Sequence, residues 1–336
     1  MATNNLQAVK YSMLELAVVG QDIPIPQVLE NSLETAQKAE ELGFNRFWLA
    51  EHHNMKAIAS SATSILIGYI AGGTKNIRVG SGGVMLPNHA PLIIAEQFGT
   101  LAQLYPNRID LGLGRAPGTD QTTAQEIRSD RMQAVYRFPD EIDKIQAFID
   151  RNYAKVRAPI AEGVNLPFYV LGSSTDSAYV AAKKGLPYVF ASHFAPTHLK
   201  EALRIYRENF QASKFLEKPY VIAGINVVAA PTQEEAETLS TSMLQMTVGI
   251  LTQKMTYMQP PIPMNDELQK IKHHPAVAQM NKFAFVGDAA TIKTQIEDFV
   301  TTYDINELMV SCNVYEQEKR IQSLEILAKI MQGKTA

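Results

Sequence analysis

The chain has 336 residues, 46% of them hydrophobic and 19% charged, with a formal net charge of −3. That is enough apolar material for one large α/β domain or two smaller ones, and the charge offers no attraction to nucleic acid or an anionic membrane. A single cysteine, Cys312, excludes an intramolecular disulfide and a multi-cysteine metal cage.

No apolar run approaches the roughly 20 residues that span a bilayer. The opening "MATNNLQAVK" has neither the charged start nor the apolar stretch of a secretory leader, so a cytoplasmic protein is expected. "YSMLELAVV" (11–19) reads as a strand. A helix over 27–42 follows, with Val28, Leu29, Leu33, Ala36 and Ala39 on one face and Gly43 as its stop. Next come strand "FNRFWLA" (44–50), helix 61–73, strand "IRVGSGG" (77–83), helix 91–104 and strand "RIDLGLG" (108–114). A polar, helix-prone piece covers 120–155. Strand 166–172, helix 175–185, strand 187–193, helix 197–211 and strand 219–230 resume the pattern. A second excursion, 231–283, contains "MQPPIPMN", and helix 289–302, strand 307–312 and helix 317–331 close the chain.

Eight strand–helix units with no dividing linker predict a parallel (β/α)8 TIM barrel, one domain over 1–336, with insertions after the fourth and seventh strands. Insertions of that length are expected to act as lids or binding segments.

In such a barrel the reactive groups collect at the C-terminal ends of the strands. Here strand 2 ends in Glu51-His52-His53, strand 3 in Ser81-Gly82-Gly83, strand 4 in Gly114-Arg115, strand 5 in Gly172-Ser173-Ser174 and strand 6 in Ser192-His193. Ser173, Ser174 and Ser177 surround a helix start, whose free N–H groups and dipole suit a phosphate, and Arg115 at the adjacent strand end can grip the same anion. Ordinary capping accounts for one such serine; three with an arginine favour an anion site, although barrel phosphate sites are commoner after strands 7 and 8. The glycines of "GSGGVM" (80–85) suit either a flat ligand against the backbone or a bulge. "GLGRAPG" (112–118) misses the spacing of a dinucleotide fingerprint. His52 and His53 are adjacent, so only one faces the pocket, and Glu51 can fix a neighbouring imidazole. His89, His193 and His198 are scattered, and no metal site is expected.

Four stretches carry a family resemblance: "RFWLAEHHNM", "IRVGSGGVMLPNHAPLIIAEQFGTL", "RIDLGLGRAPGTD" and "VLGSSTDSAYVAAKKGLPYVFASHF". They resemble the bacterial luciferase-like flavin-dependent monooxygenases, the single-chain alkanal-monooxygenase-like branch above all. The likeness runs from Ser12 to the final helix and is weakest over 230–285. It implies an FMN barrel with the phosphate held by Arg115, Gly172, Ser173, Ser174 and Ser177. Ser81, Gly82, Gly83 and Val84 fall where the flavin ring packs, often over a non-proline cis peptide. In the luciferases a glutamate stands at the position of Ser173.

The catalytic histidine of the family falls on His52, so His52 rather than His53 is expected to face the flavin, with Glu51 or a backbone carbonyl orienting the ring. The resemblance further implies reduced FMN from a separate NAD(P)H:flavin reductase, O2 as oxidant, a small organic substrate such as an aldehyde, and homodimers through helices near 61–73. Deazaflavin F420 with hydride transfer, or a non-catalytic flavin-binding protein, are the alternatives on the same fold.

Overall fold

The computed structural model describes residues 6–153 and 155–334, so the first half of the decapeptide read above for a leader lies outside the described residues. Ten strands alternate with helices: β1 (Lys10–Glu15), β2 (Arg46–Leu49), β3 (Arg78–Ser81), β4 (Val84–Met85), β5 (Ile109–Gly114), β6 (Phe168–Gly172), β7 (Tyr188–Phe190), β8 (Val221–Ala229), β9 (Ala284–Gly287) and β10 (Glu307–Ser311). Eight of them form a closed parallel ring in the order β1-β2-β3-β5-β6-β7-β8-β10, with β10 returning to β1. This is a TIM barrel. Among the described residues no helix is long and apolar enough to cross a membrane.

The helices follow the apolar spacing. Pro91–Leu104 and Gln317–Met331 have the expected bounds, and Leu199–Asn209 buries Leu199, Ala202, Leu203, Ile205 and Tyr206 on one stripe. The first excursion folds into Gln121–Ile127, Arg131–Tyr136 and Phe138–Ile149; the second into Gln233–Leu251, Asp266–Lys272 and Pro275–Met280. Two short strands differ from expectation. β4 continues the path of β3 and pairs with β5, while β9 ends the second excursion by pairing with the last residues of β8, outside the ring. β8 has nine residues, longer than its barrel neighbours, and its projecting end is what makes room for β9.

Inside the ring Leu14, Trp48, Tyr169, Val189, Ile222 and Met309 pack together. Beneath them, at the strand starts, lies a buried charge network. Arg46 Nε donates to Glu307 Oε1 at 2.7 Å and Arg46 Nη1 to Asp110 Oδ2 at 2.7 Å. Arg78 Nη2 reaches Asp110 Oδ1 at 2.6 Å, Trp48 Nε1 donates to Asp110 at 3.0 Å, and Tyr220 OH to Glu307 Oε2 at 2.7 Å. Burial alone would raise the carboxyl pKa of Glu307; the Arg46 guanidinium, with Ser12 and Tyr220, holds it below the ordinary range.

Removing one member of a buried ion network strands the others without counter-charge. Arg46→Met is therefore expected to cost about 3–5 kcal/mol in urea unfolding. Arg78→Met should cost less, because that side chain is 26% exposed and leaves Asp110 its other partners. Equal losses would show that the two arginines do not differ in this way.

Candidate active site

The C-terminal rim of the barrel gathers the polar residues singled out in the sequence. β2 ends at Leu49, and the chain then turns outward through Glu51, His52 and His53. The Glu51 side chain is 1% exposed and accepts four donors: His53 Nε2 at 2.9 Å, His89 Nε2 at 2.9 Å, Asn88 Nδ2 at 3.1 Å and the Met85 N–H at 2.9 Å. Burial would raise its pKa, but the two imidazoles and the Met85 amide win and hold it at about 2. Because an ionised carboxylate only accepts, both imidazoles present Nε2–H to it.

Of the two groups expected to orient His52, Glu51 or a backbone carbonyl, Glu51 is not the one. Its charge is spent on His53 and His89, clamping the loop after β2 to the one after β4, and it makes no hydrogen bond to His52. The backbone carbonyl does that work: His52 Nδ1 lies 3.3 Å from Gly118 O. A carbonyl can only accept, so Nδ1 carries the proton and Nε2 keeps its lone pair. Gly118, at φ +65°, leaves no room for a side chain, since a Cβ there would sit 2.5 Å from Glu51 O. Burial lowers the pKa of His52, opposed by Gly118 O and the charge of Glu51, and the ring is uncharged at neutral pH.

At the far end of the rim β5 and β6 run side by side, with Gly114 opposite Leu171. This brings Arg115 to the start of the helix Thr175–Lys184, where Arg115 Nη2 meets Asp176 Oδ2 at 2.8 Å. The N-cap residue, Ser174, is extended, but its hydroxyl makes no capping bond. Ser173 and Ser174 are half-buried at this point. Ser177 is placed differently from expectation: its hydroxyl is buried, bonded to Ser174 O and Tyr188 OH at 3.0 Å each, behind the helix start. Gly172 makes room for it, since a Cβ would lie 1.8 Å from Ser177 Oγ.

On the third side the Gly82–Gly83 peptide is cis, between β3 and β4. Ser81 Oγ donates to Gly112 O at 2.8 Å and accepts from Gly112 N–H at 3.0 Å, stitching β3 to β5. A Cβ on Gly83 would sit 2.9 Å from the backbone oxygen of Gly112, so close packing demands glycine there, whereas one on Gly82 would meet the movable end of Leu14 at 2.7 Å. Val84 is buried. Ser81 to Val84 thus offer backbone and no free side-chain donor.

His89, scattered in the sequence, joins the Glu51 cluster, and His193 reaches the rim from β7; neither had a spacing signal, because Glu51 and the β8 wall against which they lie are distant in sequence. Among the described residues no group of three or more His, Cys, Asp or Glu side chains is arranged to hold a metal ion. A cavity of about 480 Å3 opens at the opposite, N-terminal end of the barrel, bordered by Lys10, Phe168, Lys214, Phe215 and Tyr220, and none of the rim residues lines it.

Comparison with known proteins agrees with this geometry. The family model described as luciferase-like monooxygenase matches residues 9–304. The chain is 42% identical to the luciferase-like monooxygenase of Escherichia coli (strain K12), over 95% of this chain and 96% of that one. It is 36% identical to the N-acetyl-S-alkylcysteine monooxygenase of Bacillus subtilis (strain 168), over 68% of this chain and 70% of the relative. The solved structure of apo-MsnO8 superposes with a TM-score of 0.88 at 30% identity, covering 96% of this chain and 98% of that one.

The Glu51 clamp has a measurable signature. Its pKa is depressed from 4.5, so its contribution to stability is present above pH 4.5 and is lost as pH falls toward about 2. Glu51→Gln is expected to lose on the order of 3 kcal/mol of unfolding free energy at pH 7, and the difference from wild type should shrink across that acid window. A constant difference from pH 7 down to 2 would mean that the charge is not what holds the loops.

Proposed function

This chain belongs to the luciferase-like monooxygenase family, and on that premise we propose that it is an FMN-dependent monooxygenase, using O2 to oxidise a small organic substrate such as an aldehyde. The observation that carries the cofactor reading is the uncapped start of the helix Thr175–Lys184 beside Arg115. A helix N-terminus presents several N–H donors and a partial positive charge, and a serine that does not cap leaves those donors open. A phosphate monoester fits this set. Arg115, Ser173, Ser174 and the first-turn amides would hold it, with the Arg115 contact to Asp176 giving way. Ser177 would contribute its backbone N–H, since its hydroxyl is engaged with Tyr188. The cis-linked backbone from Ser81 to Val84 would supply the wall for a flat ring.

When bound, reduced FMN supplies the electrons that activate O2. The chain supplies the rest. His52, neutral and with Nε2 free, takes a proton from the reacting groups or returns one, while Gly118 O keeps it in that tautomer. The excursions after β5 and β8 would cover the rim and limit water. A separate NAD(P)H:flavin reductase would deliver the reduced cofactor. Hydride transfer with F420 would use the same anion cradle, and a purely flavin-storing protein would leave His52 without a task.

The chain would work as a homodimer. Ile65 (71% exposed) and Tyr69 on the helix Thr63–Gly73, with Ile93 and Leu104 on Pro91–Leu104, leave apolar side chains uncovered on two packed neighbouring helices. Light scattering at micromolar concentration should give twice the chain mass; the mass of a single chain would reject the dimer.

FMN titration of the purified protein, followed by flavin fluorescence, tests the cofactor and its residues together. Arg115→Ala should bind FMN roughly ten- to a hundredfold more weakly, the scale of a charge-assisted hydrogen bond, with an unchanged melting curve. His52→Ala should bind FMN normally and lose about 10²–10⁴ in turnover. Because the His52 pKa is lowered, the base form persists below pH 6.5, so the acid limb of kcat/KM should lie under that value. His53→Ala should cost stability instead, by depriving Glu51 of a partner. The reverse pattern in the two histidine variants would overturn the assignment. An F420 spectrum from the isolated protein would replace FMN with the deazaflavin.

A further inference from the structure

A second imidazole stands across the rim from His52. His193 follows β7, which lies four places round the eight-strand ring from β2 and therefore on the opposite wall. Its backbone is stapled to β8: Ser192 Oγ donates to Gly224 O at 2.6 Å, and Asn226 Nδ2 donates to His193 O at 2.6 Å. The ring presses on the same strand, where a Cβ on Gly224 would come within 2.3 Å of His193 Nδ1. Glycine at 224 is thus a condition for the ring to lie there. Phe194 meets the ring edge-on, with centroids 5.0 Å apart.

The two nitrogens of His193 differ. Nδ1 is enclosed and has no hydrogen-bond partner, whereas the residue as a whole is only half-buried and its other edge is open. A neutral imidazole carries one N–H. On Nδ1 that donor would be wasted in a place with nothing to accept it; on Nε2 it points out of the packed wall. Burial, and secondarily the nearby His52, pushes the His193 pKa down to about 4, so the ring does not charge at neutral pH. His193 therefore offers direction without charge. That suits an uncharged oxygen acceptor better than a phosphate or carboxylate, for which the rim already has Arg115.

We propose that His193 is a ligand-binding residue of this site, held flat on β8 so that its Nε2–H donates to a carbonyl oxygen of the bound molecule. This rests on the flavin monooxygenase reading, in which two molecules carry such an oxygen: the flavin on its pyrimidine edge, and an aldehyde substrate. The chemistry is shared, and the experiment separates the sources.

The protein is labelled with 15N-histidine, and the imidazole resonances are followed by NMR. Without ligand, His193 should stay neutral from pH 8 to pH 5 as the Nε2–H tautomer; titration near the ordinary 6.5 would overturn the proposal. FMN is then added, with fluorescence quenching as an independent measure of its binding. A shift of the His193 Nε2–H signal with FMN alone assigns the contact to the flavin. A shift only when octanal is added to the FMN complex assigns it to the substrate. No shift with either, while FMN binds, refutes the contact and leaves the cofactor reading standing; failure of FMN to bind removes the cofactor reading and this inference with it. His193→Phe fills the same space without a donor, and should weaken binding of the responsible molecule about tenfold. His193→Gln, which restores an N–H, should regain part of that loss. Equal affinity in wild type and the Phe variant would reduce His193 to a packing residue.

Discussion

Arg46 is the residue on which the geometry of this barrel turns. A guanidinium this deeply buried is tolerable only where its partners are in place, and those partners come from β5 and β10, on either side of β2 in the ring. The network therefore fixes three strands relative to one another across the lumen, at the end of the barrel away from the rim. Parallel pairing carries that alignment up each strand. Lys10 pairs with Glu307 at the foot of β1, and Ser81 pairs with Leu49 at the head of β3. The places where Glu51, Arg115 and His193 leave their strands are consequences of that register.

At the rim, charge is divided among residues in a definite way. The deeply buried carboxylate of Glu51 is satisfied by four donors and has nothing left to offer a ligand. The two imidazoles that are not tied to it, His52 and His193, are both kept neutral by burial. An accessible positive charge stands apart, on Arg115. On the proposed reading, proton handling, neutral hydrogen bonding and anion binding thus have separate owners on separate strands.

The barrel was readable in the sequence because its signals are local. Apolar spacing in Pro91–Leu104 and Gln317–Met331, stop residues such as Gly43 and the eight-fold alternation all act within a dozen residues. β9 was not readable: four residues with alternating burial form a strand only because the end of β8 projects beyond the ring. The site was half readable for the same reason. That polar residues crowd the strand ends follows from position alone, and Arg115 does meet the start of the helix Thr175–Lys184 as the β5–β6 neighbourhood requires. The partners of Glu51 could not be inferred from adjacency. His52 is its neighbour in sequence, yet the carboxylate turns to His53 and, 38 residues away, to His89. Likewise Ser177 belongs by spacing with the other serines, but Tyr188, brought in by β7, takes its hydroxyl.

The ion pair between Arg115 and Asp176 has a kinetic meaning. If the helix start holds a phosphate as proposed, Asp176 would be a built-in placeholder: it holds the guanidinium at the helix start now, and would recapture it once the anion leaves. An arriving phosphate would enter by exchange, displacing one anion with another, and would leave by the same route. Such a competitor lowers the cost of letting go, because the arginine is never left without a partner. A cradle of this kind favours turnover of its occupant over permanent retention, which matches the proposed delivery of a fresh reduced cofactor for each round.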